Sequence, residues 1–169
     1  MPTALGTLWS APPRWLTATL GVLLVALLAT GAILGWQLRE AMAVQDRRTA
    51  VLQAATDHVS TFLSIDYRQA PQDTAAVLRT AAGEFERQYS ASRDRLHQLV
   101  RQNRTVSTGT VLSAGVVSSD ADSARVIVVA DSQVRNVASP QPQPRHYRLQ
   151  LDLARQGDRW LVTNLEFVG

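Results

Sequence analysis

The chain has 169 residues, with 17 arginines, no lysine, 14 carboxylates and a formal net charge of +3. Beyond residue 43 it carries 15 arginines against 13 carboxylates, a mixed surface that speaks against nucleic acid as a partner. The absence of cysteine excludes disulfides, thiolate metal sites and a lipidated N-terminal cysteine.

Residues 1–14 hold Pro2, Pro12 and Pro13 without a periodic pattern and read as a short disordered tail. Residues 15–38 are free of charge, closed by Arg14 and Arg39, with Trp15 and Trp36 near the two ends. As a helix this stretch would rise about 36 Å, enough to cross a hydrocarbon core of about 30 Å. Indole rings at both ends suit the two membrane–water interfaces. The small residues Ala41-Met42-Ala43 resemble a leader cleavage site. However, the apolar run exceeds the usual h-region of about 7–15 residues, and Arg39 and Glu40 stand directly before that site. A retained transmembrane helix in contact with membrane lipid is therefore expected, with 39–50 as its stalk. Charge leaves its orientation open, because Arg14 and the free amine precede the span while Arg39, Arg47 and Arg48 follow it.

Residues 51–169 read as one α+β domain. Val51, Leu52, Ala55, Val59, Phe62 and Leu63 recur at three- and four-residue steps and predict an amphipathic helix. Pro71 is expected to end that section, with Asp73 or Thr74 capping a second helix from about Thr74 to Gln102. The second helix has an apolar face marked by Leu78, Ala82, Phe85, Tyr89, Leu96 and Leu99. Arg93, Arg95, Arg101 and Arg104 crowd its C-terminal end, where cations complement the helix dipole.

From Val106 the pattern turns to β. Residues 105–117 are rich in valine and threonine, with Gly109 or Gly115 permitting a bend or bulge. Residues 118–123 form a turn whose aspartates lack the glycine and glutamate of a calcium loop, so no metal is expected there. Ala124 to Ala130 is almost wholly apolar, which predicts a central strand or one buried on both faces. Pro140, Pro142 and Pro144 make a stiff connection unsuited to a sheet interior. Tyr147, Leu149, Leu151 and Leu153 alternate with polar residues. Gly157 marks a hairpin turn, and Trp160 opens the last strand. Two helices followed by an antiparallel sheet of about four strands are thus expected.

Several short motifs carry a resemblance. They are Asp66-Tyr67 at a helix end, Ala82-Gly83-Glu84-Phe85 with Tyr89, and Gly115-Val116-Val117. Tyr147-Arg148-Leu149 and the closing Gly157-Asp158-Arg159-Trp160-Leu161-Val162 extend the series. With the preceding apolar span, residues 15–168 resemble the Mce-associated membrane proteins of actinobacteria. Ala81-Ala82 departs from that pattern, where a threonine often stands next to the glycine. The resemblance implies a nuclear-transport-factor-2-like cone, helices packed on a strongly curved sheet. It also implies a single-pass protein of the cytoplasmic membrane with its C-terminal domain outside, serving complexes that import lipids or sterols through the cell envelope.

Residue chemistry offers no reaction. There is no G-x-S-x-G elbow, H-E-x-x-H pair, phosphate loop or cysteine nucleophile. His58, His97 and His146 share no ligand spacing and read as structural or exposed. Cone folds that house isomerases use a desolvated Asp or His base with a Tyr donor, for which Asp66, Tyr67, Tyr89 and Tyr147 would be the candidates. Asp66, however, precedes a loop. No catalytic, cofactor-binding or metal-ligating residue is expected, and no cofactor. Tyr67, Phe85, Tyr89, Tyr147 and Trp160 are the candidates for an apolar pocket, or else they fill the cone as core. The expected role is a non-enzymatic accessory subunit that contacts Mce-complex proteins and permease subunits. The alternatives are an assembly subunit of a type IV secretion or conjugation channel, and a tethered binder or isomerase of a small apolar ligand.

Overall fold

The computed structural model describes residue 39 and residues 42–168. The expected tail and the expected span over 15–38 lie outside the described residues. Among the described residues no helix is long and apolar enough to cross a membrane. The chain divides into Met1–Val44 and Gln45–Gly169, and the second unit holds the domain.

Helix α1 is described over 42–62. Its stripe of Val51, Ala55 and Val59 is wholly buried, and Leu63 follows just beyond its end. Helix α2 (Ala70–Leu78) and helix α3 (Gly83–Gln102) come next. Two sequence expectations are corrected here. Pro71 does not end a helix but sits in the first turn of α2, where its missing N–H is not needed. Asp73 and Thr74 cap nothing: the N-cap of α2 is Gln69, without a side-chain cap, and Asp73 lies in the first turn.

The single helix expected over 74–102 is two. Residues 79–82 leave the helical path because Val162 N–H donates to Thr80 O at 3.0 Å and Ala82 N–H to Val162 O at 2.8 Å. A parallel bridge between Ala81 and Val162 completes this attachment to the sheet.

Among the described residues the sheet is antiparallel throughout and has five strands in sequential order, one more than expected. They are β1 (Ile65–Asp66), β2 (Val106–Ser119), β3 (Ser123–Arg135), β4 (Gln143–Gln156) and β5 (Arg159–Phe167). The additional strand is the two-residue β1, too short to show a pattern in sequence. Register shifts in β2 and between Asp152 and Leu153 interrupt the pleat and curve the sheet.

The strand β3 is central, between β2 and β4, as its apolar run predicts. It is buried on one face only: Ala124, Val126, Val128 and Ala130 point into the core, whereas Ile127 on the other face is 37% exposed. Leu149, Leu151 and Leu153 of β4 continue the core layer against α1. Pro144 lies within β4 and pairs with Gln133, but β5 joins β4 only from Leu149 onward. Proline thus occupies a segment bonded on one side, where its lost donor costs little.

Two glycines have physical reasons. Gly157 turns the β4–β5 hairpin at φ +61. At Gly109 a Cβ would stand 2.4 Å from Leu63 Cβ, so only glycine lets the end of α1 lie this close to β2.

Candidate functional site

Helix α3 is unlike the rest of the domain. Of its 20 residues only Val100 is buried. Its first turn rests on an aromatic group: Phe85 stacks on Tyr89 at 5.6 Å, and Phe62 of α1 meets them at 5.9 and 6.1 Å. Its second half is tied to α2 where His97 Nε2–H donates to Thr74 Oγ1 at 2.8 Å. The Thr74 hydroxyl proton is committed to the Ala70 and Pro71 carbonyls, which makes the oxygen the acceptor.

Between these attachments a groove of about 440 Å³ opens, lined by Phe62, Ile65, Tyr89, Ser92, Arg95, Leu96 and Leu99. Its walls are mostly apolar, and Leu99 is 47% exposed. Arg95 is the one charge in the lining and makes no ion pair among the described residues. Burial, with a smaller effect from the Asp73 charge, pushes the Tyr89 phenol up to about 12. It is therefore a neutral group at physiological pH, suited to packing and hydrogen bonding.

Behind the aromatic group lies His58, fully buried in α1. Thr80 donates its hydroxyl proton to Val77 O at 3.0 Å, so the contact of 2.8 Å between His58 Nδ1 and Thr80 Oγ1 is donated by the imidazole. Nε2 then carries a lone pair with no partner among the described residues. The ring meets Phe85 edge-on at 5.1 Å and lies parallel to Phe62 at 6.4 Å. Burial holds its pKa down to about 4. His97 bonds Thr74 as above, and His146 pairs with Asp131 at 2.7 Å on an exposed surface.

The five candidate pocket residues do not share one cavity. Phe85 and Tyr89 are together, and Tyr89 lines the groove. Trp160 belongs to the buried core cluster. Tyr147 packs on that cluster's margin and meets Phe167 at 5.9 Å. Tyr67 lines a separate opening with Arg68, Arg104 and Arg135, its ring 5.9 Å beneath the Arg68 guanidinium. Of the groove residues only Tyr89 is among the sequence candidates; Ser92, Leu96 and Leu99 read as part of the helix face and Arg95 as a cation for its dipole, and Phe62 and Ile65 lie outside that helix. Phe62 carries the signal as the last position of the α1 stripe, whereas Ile65 sits in a strand too short to recognise.

Asp66 faces the arginines. Its carboxylate accepts from Arg68 Nε at 2.9 Å and Arg68 N–H at 2.9 Å, and is ion-paired to that guanidinium. The Arg68 side-chain bonds first, then its backbone bond, hold the Asp66 carboxyl down to about 2. A general base acting near neutral pH needs the opposite shift. At the end of α3, Arg104 adopts φ +48. Thr105 N–H reaches Val100 O at 2.9 Å and Arg104 N–H reaches Arg101 O at 3.2 Å, a Schellman termination whose left-handed position usually takes glycine. A non-glycine residue there costs about 1–3 kcal/mol.

Residues 15–169 match the family described as uncharacterized protein Rv1363c/MT1408-like. The uncharacterized protein Rv1363c of Mycobacterium tuberculosis is 32% identical over 133 residues, 79% of this chain and 51% of that protein. The chain thus spans about half the length of this curated relative. Among solved structures, the periplasmic domain of DotI superposes with a TM-score of 0.61 at 11% identity, covering 71% of this chain and 94% of that one. An IcmL-like type IV secretion system protein from Legionella pneumophila gives 0.59 at 13%, covering 72% and 91%. CagV, a VirB8 homologue of the type IV secretion system of Helicobacter pylori, gives 0.54 at 8%, covering 71% and 97%. At these identities the likeness is one of fold. By sequence, the chain belongs to the Rv1363c/MT1408-like family.

Proposed function

We propose that the protein is a non-enzymatic assembly subunit of an envelope-spanning translocation machine, its α+β domain lying outside the cytoplasmic membrane. The α1–α3 groove is its docking surface. The carrying observation is that groove: apolar anchors of α3 stand open beside Phe62 while the interior between α1 and the sheet is filled. A partner's amphipathic helix fits it, with apolar residues on Leu96 and Leu99 and a carboxylate against Arg95. The low pKa of Asp66 and the packed interior favour binding over catalysis. The periplasmic and secretion-system proteins among the solved neighbours support the location and the class of machine. A second reading, an accessory subunit of an Mce-type lipid import complex, is favoured by the motif resemblance around Gly83, Tyr147 and Trp160.

The test is in-cell crosslinking followed by extraction in mild detergent and identification of what co-purifies. Secretion-channel subunits support the first reading, and Mce and permease subunits the second. Leu99→Glu on the exposed groove wall is expected to abolish co-purification with the thermal midpoint unchanged. A chain recovered alone, or a complex indifferent to Leu99→Glu, defeats the docking role.

A further inference from the structure

We propose that the opening lined by Tyr67, Arg68, Arg104 and Arg135 binds a phosphate monoester in its dianionic form. The opening lies between the β1–α2 turn, the end of α3 and the β3–β4 connection, and has a volume of about 280 Å³. That is at the small end of ligand sites.

Its walls are fixed to one another through the backbone. Tyr67 N–H donates to Thr105 O at 3.0 Å, and Val137 N–H to Asn103 O at 2.9 Å. Asp66, Val106 and Arg135 are register partners in one row across β1, β2 and β3. The row brings the Arg135 side chain toward the Asp66–Arg68 pair, and Arg104 enters from the end of α3.

The charge balance selects the ligand. Three guanidinium groups line the opening and no carboxylate does; of the two carboxylates at its edge, Asp66 is engaged by Arg68 and Asp73 accepts from Asp66 N–H at 2.8 Å. Arg104 and Arg135 make no ion pair among the described residues. Asp66 stays ionised at neutral pH and is held by Arg68, so Arg104 and Arg135 are the two guanidinium groups left to an incoming anion. A phosphate monoester carries nearly two negative charges at pH 7, and its oxygens accept from guanidinium forks bidentately. The Asn136 side-chain oxygen Oδ1 is occupied by the N–H groups of Ala138 and Ser139, each at 2.9 Å, which leaves the side-chain Nδ2–H groups to donate. Val106, Val137 and Pro140 supply an apolar side for the organic part of the ester. At Arg104 a glycine would relax the turn, so the arginine there is unfavourable to the fold and useful to the site.

Titration calorimetry of the full chain in phosphatidylcholine nanodiscs tests this, with phenyl phosphate as probe and benzoate as the monoanionic control. Phenyl phosphate should bind more tightly than benzoate, more weakly as salt rises, and more tightly as pH rises through about 6 with loss of its second proton. Arg104→Gly and Arg135→Gln should each weaken it about tenfold or more, while Arg104→Gly keeps or raises the thermal midpoint. Discs containing phosphatidic acid separate the sources. Loss of phenyl phosphate binding identifies a lipid headgroup, and unchanged binding a soluble ester. Equal binding by both variants and the unaltered chain, or equal affinity for benzoate, would each overturn the proposal.

Discussion

The face where α1 meets the sheet and the face presented by α3 are built from similar residues and behave oppositely. Val51, Ala55 and Val59 of α1 lie on Val126, Val128, Leu149 and Leu151 with no exposed surface. On α3, Leu96 and Leu99 have no such partner layer among the described residues, and the helix is held at isolated places by Phe85, Tyr89, His97 and Val100. Burial stabilises by roughly 25 cal/mol per Å² of apolar surface removed from water, so the first face carries the fold. The second retains unspent apolar surface. The docking role proposed above needs both: a support that does not yield and a face still able to gain by covering.

Breaking the first face should have the largest effect. Leu151→Ala leaves a cavity in a layer with no exposed neighbour and should cost about 2–5 kcal/mol in chemical denaturation. A loss near that for a surface leucine would mean that the interior is loosely packed.

The imidazole of His58 sharpens the boundary between the two faces. Its pKa is about 4 in the folded protein against 6.5 for the free side chain, so the unfolded chain binds the extra proton first. Stability should be complete above about pH 6.5 and fall between there and pH 4, by roughly 3 kcal/mol from this group. His58→Leu should remove that part of the slope. Equal slopes in the two proteins would show that water reaches the ring. The Asp66 carboxylate acts in a lower window: its contribution is present above its ordinary value of 3.8 and fades toward pH 2.

The smallest effect belongs to the attachment of α3. Thr74→Val removes the acceptor for His97 and should cost about 1 kcal/mol. Hydrogen exchange should quicken in α3 well before it does in β3. Uniform acceleration would mean that α3 and the sheet open as one unit.

Much of this architecture was legible in the chain because its signals are local. The two-residue alternation of β4 and the spacing of Val51, Ala55 and Val59 each report a buried face directly. The break at residues 79–82 was not legible. Apolar spacing runs on through Leu78, Ala82 and Phe85, and what interrupts the helix is bonding to Val162, about 80 residues away. The same holds at Arg104, where neither glycine nor proline announces the left-handed turn. Counting it among cations that complement the α3 dipole hid its position beside Arg68 and Arg135. Phe85 and Tyr89 were found as a pair because both lie on one helical stripe. Grouping Tyr147 and Trp160 with them required a tertiary arrangement that residue type cannot supply.

The brevity of β1 has a further consequence. It covers β2 only at Val106 and Ser107, so from Thr108 onward the outer side of β2 faces no strand among the described residues. Leu112 and Val117 are 59% and 58% exposed along that stretch, which would invite a strand from another molecule to add on. Two irregularities oppose this, one between Val111 and Ser113 and one between Val116 and Ser118, and Gly109 N–H is already bonded to Ser64 Oγ at 3.0 Å. An incoming strand would find its register broken twice within a dozen residues. The bulges that curve the sheet around α1 thereby also protect the protein from aggregating through its own edge.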